Sequence, residues 1–354
     1  AKPDTPQATS RLFHQEADGR FVDVTESSDL VDPGYGMGVA VGDVNNDGYP
    51  DVLVLNFGRS RLYLNQRDGT FRDVTASAGI DIDGWSSSAC FVDIDRDGRL
   101  DLFVTRYVDY SRPKACALAS GREDFCNPSD FLSTSDKLYR NVTDIEASKT
   151  DPAAVRFEDI SISSGIASQR GPGLGVLAGD FDEDGWPDIF VANDGRADFM
   201  WINQRDGTFR DLAVPLGAAY NAMGRPTASM GVAEGDVNGD GHLDLFVTNL
   251  RAESNTLFSK SAAGFVDATS TSGIQRASHP HTGFGVALAD FDHDGKLDLV
   301  MANGHVYQLM DRPLVRPPLG DRPDPTAVRQ FWQAYADTNQ LLRGDGTGRF
   351  EDVS

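Results

Sequence analysis

Five copies of one nine-residue pattern carry most of the chemistry in this sequence. Each copy has Asp or Asn at positions 1, 3 and 5, Gly at position 6 and Asp at position 9. Oxygens at this spacing can converge on one hard cation, and an all-oxygen ligand set suits Ca²⁺ better than Mg²⁺. The copies are Asp43–Asp51, Asp93–Asp101, Asp180–Asp188, Asp236–Asp244 and Asp290–Asp298.

The pattern predicts about five Ca²⁺ ions, one in each loop. Position 7 varies freely, which indicates that this residue contributes only its backbone carbonyl oxygen. The predicted ligands, taken from positions 1, 3, 5, 7 and 9 of each loop, are Asp43, Asn45, Asp47, Tyr49, Asp51, Asp93, Asp95, Asp97, Arg99, Asp101, Asp180, Asp182, Asp184, Trp186, Asp188, Asp236, Asn238, Asp240, His242, Asp244, Asp290, Asp292, Asp294, Lys296 and Asp298.

Two other interpretations of the pattern are simple turns and EF-hands. Asp-Gly clusters form ordinary turns, but five copies with the same Gly and the same ninth Asp favour metal binding. An EF-hand loop needs Glu at position 12 and flanking helices. Position 12 is apolar in every copy. These residues are Val54, Val104, Val191, Val247 and Met301.

The segments around the loops read as strands. A Gly-rich apolar run precedes each loop, a short apolar run follows it, and a Gly-containing hairpin such as Leu62–Thr75 comes next. The loops start at residues 43, 93, 180, 236 and 290, so the unit repeats about every fifty residues apart from one insertion. Four strands per unit at this period predict a β-propeller, with the loop between strands 1 and 2 of each blade.

An additional hairpin, residues 11–25, opens the chain without a preceding loop. It resembles the outer half of a blade whose inner half comes from the far C-terminus, an arrangement that would close the ring and remove exposed edges. Since the sequence stops at the end of a strand 4, we expect either a further segment or an incompletely closed ring. Residues 1–10 form an N-terminal extension, and residues 11–354 form one propeller domain with insertions at 107–136 and 304–340.

At these residues the chain resembles the FG-GAP/VCBS repeats of integrin-α-type propellers, and more closely the cartilage acidic protein family. The resemblance rests on the blade pattern, on the two cysteines of an insertion ahead of Leu138–Asn141, and on Ala302–Tyr307. It implies a calcium-bearing, extracellular propeller, most commonly of seven blades. Six blades or an incompletely closed ring are the alternatives.

The charge of the chain follows largely from the acidic loops. The formal net charge is −22, and eighteen of the loop side-chain positions are Asp. Five Ca²⁺ ions would leave about −12, and no basic stripe is present to neutralise phosphates, which argues against nucleic acid as a partner. No apolar run is long enough to predict a transmembrane span.

The three cysteines help to predict the cellular compartment of the protein. Cys116 and Cys126 lie in the polar insertion 107–136, where a disulfide would anchor the loop, although two free surface thiols are the alternative. Cys90 lies in an apolar strand and is expected to pack as a small hydrophobic residue. Calcium loops, a disulfide and a first residue other than Met together predict an exported protein, periplasmic or extracellular. A position peripheral to a membrane complex is one form that this could take.

The longest and most irregular connections fall between strands 2 and 3 and between blades, on the side away from the acidic loops. Loops of variable length on a regular scaffold are the usual place for a binding site. The residues predicted to form a partner face there are Trp85, Tyr107, Tyr110, Arg170, Tyr220, Arg225, His279, His281, His305, Tyr307 and Trp332. Aromatic and Arg residues are favoured at protein contacts.

Two features of this side have alternative interpretations. The three histidines could form a transition-metal or acid–base cluster, or could be loop residues bonded to the backbone. A short helix over Pro325–Tyr335 could present its aromatics to a partner or fold them onto the propeller.

No nucleophile elbow, P-loop or zincin motif is present. The sequence therefore predicts a protein-interaction or assembly subunit without catalysis, with a carbohydrate-binding protein or a lyase-type enzyme as the alternative.

Overall fold

Each repeat unit folds into a four-stranded antiparallel blade, numbered 1 to 5 along the chain. In the computed structural model the described residues are 10–112, 114–117, 123–124, 126–306, 325–333 and 335–354. Blade 1 contains Tyr35–Gly42, Asp51–Phe57, Arg61–Asn65 and Phe71–Asp73. Blade 2 contains Ser86–Val92, Asp101–Arg106, Lys137–Asn141 and Phe157–Asp159. Blade 3 contains Gly173–Gly179, Asp188–Arg196, Phe199–Asn203 and Phe209–Asp211. Blade 4 contains Val232–Gly235, Asp244–Val247, Thr256–Ser261 and Gly264–Asp267. Blade 5 contains Thr282–Ala289, Asp298–Gly304, Gln340–Gly344 and Phe350–Asp352.

Glycines in strand 1 allow neighbouring blades to approach closely on the inner side. A Cβ atom on Gly38 would lie 2.5 Å from the carbonyl oxygen of Ser87 in the next blade. On Gly175 it would lie 2.1 Å from the carbonyl oxygen of Met230. Any larger residue would therefore push adjacent inner strands apart.

The core consists of interfaces between consecutive blades. We call the side of a blade that contacts the following blade its far face, and the opposite side its near face. The far face of blade 3, with Phe190 and Met200, packs on Leu245 and Phe258 of blade 4. The same arrangement joins the other consecutive pairs. Strand 2 is consequently buried on both sides, which explains its continuous apolar sequence.

The N-terminal hairpin, Phe13–Gln15 paired with Phe21–Asp23, occupies the position of strands 3 and 4 of a further blade. Leu12 N–H donates to Thr25 Oγ1 at 2.9 Å, as Leu62 N–H donates to Thr75 Oγ1 in blade 1. Behind it, Leu12 and Leu30 pack on the near face of blade 1. The prediction of an outer half blade therefore agrees with the structure.

The prediction of seven blades is wrong, because the structure has five four-stranded blades and this hairpin. The family resemblance suggested the larger number, whereas the number of acidic loops matches the number of blades formed. Outside the blades, Thr227–Ala228 adds a short strand to the end of Asp188–Arg196.

The insertion 107–136 forms two small ladders, Val108–Asp109 with Leu132–Ser133 and Cys116–Ala117 with Glu123–Asp124. Cys116 and Cys126 form a disulfide, as expected. Cys90 is a free thiol, partly buried between blades 2 and 3, and burial raises its pKa to about 12.

The helices are short and lie in the connections. The α-helices are Ile145–Ser148, Ala213–Leu216, Ile274–Ser278 and Pro325–Gln333, and the 3₁₀ helices are Pro128–Asp130, Pro152–Ala154 and Ile166–Ser168. Pro325–Gln333 ends two residues before the predicted boundary. Among the described residues, no helix has the length and apolar character needed to cross a membrane.

A matched pair of phenylalanines tests the importance of packing between blades. Phe181 and Phe291 occupy position 2 of the loops of blades 3 and 5, but Phe181 is 1% exposed and Phe291 is 48% exposed. We expect Phe181→Ala to lower the free energy of unfolding by about 3–5 kcal/mol, and Phe291→Ala by less than about 1 kcal/mol, measured by urea unfolding. Equal losses of stability in the two variants would contradict the conclusion that packing between blades 3 and 4 stabilises the fold.

Candidate metal centres and the opposite face

The backbone of each acidic loop folds around its first aspartate. In blade 2, Asp93 Oδ1 accepts the N–H of Asp97 at 3.0 Å, and Asp93 Oδ2 accepts the N–H of Gly98 at 2.9 Å. Gly98 has φ +85°, a left-handed conformation that favours glycine. The same bonds and the same glycine conformation recur in the other loops.

Carboxylates converge inside the loops. In blade 2, one oxygen from each of Asp93, Asp95 and Asp101 lies within 4.8 Å of the others. Blade 3 forms the corresponding group from Asp180, Asp182 and Asp188. The group in blade 5 consists of Asp290, Asp292 and Asp294, without the aspartate at position 9. Blades 1 and 4 have Asn45 and Asn238 at position 3. An all-oxygen donor set of this kind fits a hard divalent cation.

The aspartate at position 9 joins three parts of its blade. Asp51 Oδ2 accepts the N–H of Val44 in the loop at 3.0 Å, and Oδ1 accepts the N–H of Asn65 at the end of strand 3 at 2.9 Å. The four equivalent aspartates make both bonds as well. Burial raises the pKa of Asp51, Asp101 and Asp188 to about 7. A cation nearby would favour their ionised form.

Basic side chains contact the aspartate at position 5, which sequence analysis did not anticipate. Arg67 donates from Nε and Nη2 to Asp47 Oδ2 at 3.1 and 3.0 Å, and Arg205 Nε donates to Asp184 Oδ2 at 2.8 Å. Arg67 and Arg205 have φ +67° and +64°, which is uncommon for a residue other than glycine. The repeated segment Asn-Gln-Arg-Asp-Gly-Thr-Phe that contains both arginines was the available signal.

At the opposite edge, side chains cap the end of strand 2. In blade 3, Asp198 Oδ1 accepts the N–H of Asn193 at 2.8 Å, and Asn193 Nδ2 donates to the carbonyl oxygen of Ala197 at 2.9 Å. The residues that accept the strand-2 N–H are Ser60, Asp136, Asp198, Asn255 and Asn339. These caps differ in residue type, so the sequence does not display them as a motif.

Aromatic residues from blade 1, blade 2 and the disulfide-bearing insertion meet at this edge. Trp85 makes edge-on contacts with the rings of Phe57, Tyr107 and Tyr110, with centroids 5.1–5.6 Å apart. Tyr110 also contacts Phe131 across the insertion. These five residues, which we call the aromatic cluster, include three of the predicted partner-face residues, Trp85, Tyr107 and Tyr110.

The aromatic cluster reaches a carboxyl group of blade 3. Tyr107 Oη donates to Asp194 Oδ2 at 2.6 Å. Burial raises the pKa of Asp194 above its usual range. A hydroxyl and a partly buried carboxyl group therefore lie beside aromatic rings.

Two of the three histidines come together, on either side of Asp337. His281 Nδ1 lies 2.9 Å from Asp337 Oδ2, and His305 Nε2 lies 3.7 Å from the same oxygen. Burial lowers the pKa of His305. His279 is separate, with its Nδ1 atom 3.2 Å from Ser254 Oγ. Asp337 was missed because it lies in the insertion 304–340, far from both histidines in sequence.

The remaining predicted partner-face residues are dispersed. Trp332 is 55% exposed, while its neighbour Phe331 is buried, so the helix Pro325–Gln333 both packs on the protein and presents an aromatic surface. Arg170, Tyr220 and Arg225 are exposed. In the described part of the chain, no ring contact or ion pair connects these three with the aromatic cluster. Tyr307 lies outside the described residues.

Comparison with known proteins agrees with the repeat and the fold. The FG-GAP-like repeat model matches residues 5–54, 43–104, 180–247 and 236–301, which together cover more than half of the chain. The chain belongs to the FG-GAP-like repeat family. The matched segments include all five acidic loops.

Curated relatives of this FG-GAP chain include cartilage acidic protein 1. The human protein is 30% identical over 164 residues, which is 45% of this chain and 23% of the relative. The mouse protein is 31% identical over 164 residues, which is 45% of this chain and 24% of the relative. The match thus spans about a quarter of the relatives' length.

A solved structure described as a putative exo-β-1,3-galactanase from Bifidobacterium bifidum has a TM-score of 0.44 at 10% identity, covering 98% of this chain and 96% of that one.

Asp136 provides a test of pH dependence away from the acidic loops. Burial raises its pKa to about 7. Because this value exceeds that of the unfolded chain, the stability that depends on its proton is complete below about pH 4 and is lost as the pH rises towards 7. Asp136→Asn keeps an acceptor for the N–H of Arg106. It should therefore increase the free energy of unfolding at pH 8 by a few kcal/mol, and by much less at pH 4.

Urea unfolding at both pH values measures this difference. The exposed Asp68 in a hairpin turn offers Asp68→Asn as the control, which should change stability little. If Asp136→Asn increased the free energy of unfolding equally at pH 4 and pH 8, the raised pKa of Asp136 would be contradicted.

Proposed function

We propose that this chain is a calcium-stabilised propeller that acts outside the cytoplasm as a protein-interaction or assembly subunit, without catalysis of its own. The observation that carries the calcium assignment is the convergence of carboxylates in the loops of blades 2, 3 and 5, within a loop geometry that recurs in all five blades. The position-9 aspartate would carry the effect of the ion into the fold, because it bonds to the loop and to strand 3.

An oxidising compartment is supported by the disulfide between Cys116 and Cys126, since such bonds persist mainly outside the cytoplasm. Periplasmic and extracellular locations both satisfy this condition. Calcium at the concentrations found outside cells would occupy even loops with dissociation constants of about 10⁻⁴–10⁻³ M.

The proposed contact surface is the edge opposite the acidic loops. The aromatic cluster and the exposed Trp332 lie on the connections of that edge. Aromatic side chains offer large contact areas at a low cost in conformational entropy. A partner protein that covers them would bury surface without disturbing the blades beneath.

A second candidate function is carbohydrate binding at the aromatic cluster. Sugar sites combine aromatic rings with a few oriented polar groups, and Tyr107 with Asp194 provides such groups beside Trp85. Retention of immobilised oligosaccharides that is lost in Trp85→Ala would favour this candidate over a protein partner.

Calcium removal tests the metal assignment. We expect EDTA to lower the melting temperature by at least about 10 °C, because several ions that bind only the folded state each contribute to its stability. Asp97→Ala should remove about one ion from the measured stoichiometry and disturb mainly blade 2. Asp68→Ala, at an exposed turn aspartate, should leave the stoichiometry unchanged. An identical transition with and without EDTA would refute structural calcium.

Site-specific photo-cross-linking tests the contact surface. A photoreactive residue at Trp332 or Tyr110 should yield a discrete protein adduct in native membrane and periplasmic extracts. The same residue at Tyr49, an exposed aromatic of an acidic loop, should not. Adducts of equal yield at all three positions, or none at Trp332 and Tyr110, would contradict the assignment of the interacting edge.

A further inference from the structure

Buried asparagines connect the acidic loops of blades 1, 2 and 3. Asn141, at the end of strand 3 of blade 2, donates from Nδ2 to the carbonyl oxygen of Val44 in the loop of blade 1 at 2.8 Å. Asn203, at the same position of blade 3, donates from Nδ2 to the carbonyl oxygen of Ile94 in the loop of blade 2, also at 2.8 Å. Both asparagines and both loop residues are at most 3% exposed. These bonds are therefore stronger than exposed ones, because water does not compete for them.

Each of these asparagines is also bonded to the position-9 aspartate of its own blade. The backbone N–H of Asn203 donates to Asp188 Oδ1 at 2.8 Å. On the other side of the asparagine bond, the N–H of Ile94 donates to Asp101 Oδ2 at 2.9 Å. A path of hydrogen bonds thus joins Asp101 of blade 2 to Asp188 of blade 3. The equivalent path joins blades 1 and 2.

The path does not continue in the same way beyond blade 3. Lys260 occupies the asparagine position in blade 4, and its Nζ atom lies 5.2 Å from the ring centroid of Phe265 in the same blade. Gly344 occupies this position in blade 5 and has no side chain that could donate. The loops of blades 3 and 4 meet instead at Glu183 and His242, whose side chains are 45% and 30% exposed. Solvent weakens contacts of that kind.

The position-2 residue of a loop can transmit the ordering of that loop to the next blade. Ile94 lies between Asp93 and Asp95, two of the carboxylates that converge in blade 2. Its backbone is therefore fixed when they are fixed, and its carbonyl oxygen is held by Asn203 of blade 3. Ordering one loop thus removes part of the conformational freedom that the next loop would lose on binding an ion, and this produces positive cooperativity.

We propose that Asn141 and Asn203 are positioning residues that couple cation binding in the acidic loops of blades 1, 2 and 3, whereas the loops of blades 4 and 5 bind independently. The coupling is reciprocal, because a linkage between two binding sites acts equally in both directions. This inference rests on the calcium assignment of the proposed function. It divides five loops of similar sequence into one coupled group of three and two independent sites.

Terbium, a luminescent substitute for calcium, tests the proposal in the whole chain. Trp186 occupies position 7 of the blade 3 loop and should sensitise an ion bound there, and Trp186→Phe identifies that signal by removing it. We expect Asp97→Ala, which removes a ligand of the blade 2 loop, to weaken terbium binding at the blade 3 loop about fivefold or more. Asp240→Ala is the matched change at position 5 of the blade 4 loop. It should remove the ion of its own loop while the midpoint of the blade 3 signal stays that of the parent.

The variant Asn203→Ala determines whether the buried bond carries the coupling. In this background, Asp97→Ala should cause no further loss of affinity at the blade 3 loop, as measured by a double-mutant cycle. A loss that persists in full would overturn the proposal. It would assign the coupling to the surface contact between Arg96 and Trp186, in which the guanidinium carbon lies 5.6 Å from the ring centroid.

The comparison of Asp97→Ala with Asp240→Ala does not require Asn203→Ala to fold. Equal midpoints in the parent and both variants would overturn the proposal and leave the calcium assignment intact. Equal weakening by Asp97→Ala and Asp240→Ala would overturn it too, by showing that loss of any ion loosens the whole propeller. Absence of both terbium and calcium binding by the parent would refute the calcium assignment together with the coupling.

Discussion

The structure depends on a buried carboxylate at the start of strand 2 in every blade. This aspartate accepts one backbone N–H from the acidic loop and another from the end of strand 3, so it fixes the loop against the sheet. Burial disfavours its charge, as the raised pKa values of Asp51, Asp101 and Asp188 record. A divalent cation held by the same loop would offset that cost, and this would link ion binding to the stability of each blade.

The blades are in turn held by contacts between neighbours. Because each far face is covered only by the next near face, stability is distributed along the chain in nearest-neighbour steps. The N-terminal hairpin illustrates this dependence on neighbours. Leu12 and Leu30 make the outer contacts that a preceding blade would make with blade 1, whereas Val39 in strand 1 of blade 1 stays exposed. The same local sequence can therefore be buried or exposed according to its place in the series, as Phe181 and Phe291 illustrate.

The sequence predicted the regular part of the molecule well, because the regular part repeats. Spacing alone located the loops, strand 2 and the hairpins, and the structure confirms the resulting blades. It could not predict the strand-2 caps, since Ser60, Asp136 and Asn255 share a position but no residue type. Nor could it pair His281 and His305 with Asp337, because an insertion brings that residue into contact from a distant part of the chain. The blade number was wrong because it came from the family and not from the loops.

The edge opposite the acidic loops departs from the repeat, and blade 2 is the clearest example. In the other four blades an Asn lies near the end of strand 2, and its side-chain amide donates to a carbonyl oxygen in the connection to strand 3. Blade 2 has Arg106 instead, and its Nη2 atom donates to the carbonyl oxygen of Asp83 in the preceding connection. The disulfide-bearing insertion follows Arg106 and carries Tyr107 and Tyr110 to Trp85. This departure from the repeat thus coincides with the aromatic cluster, and a loop insertion on a regular scaffold is where a binding function is usually found.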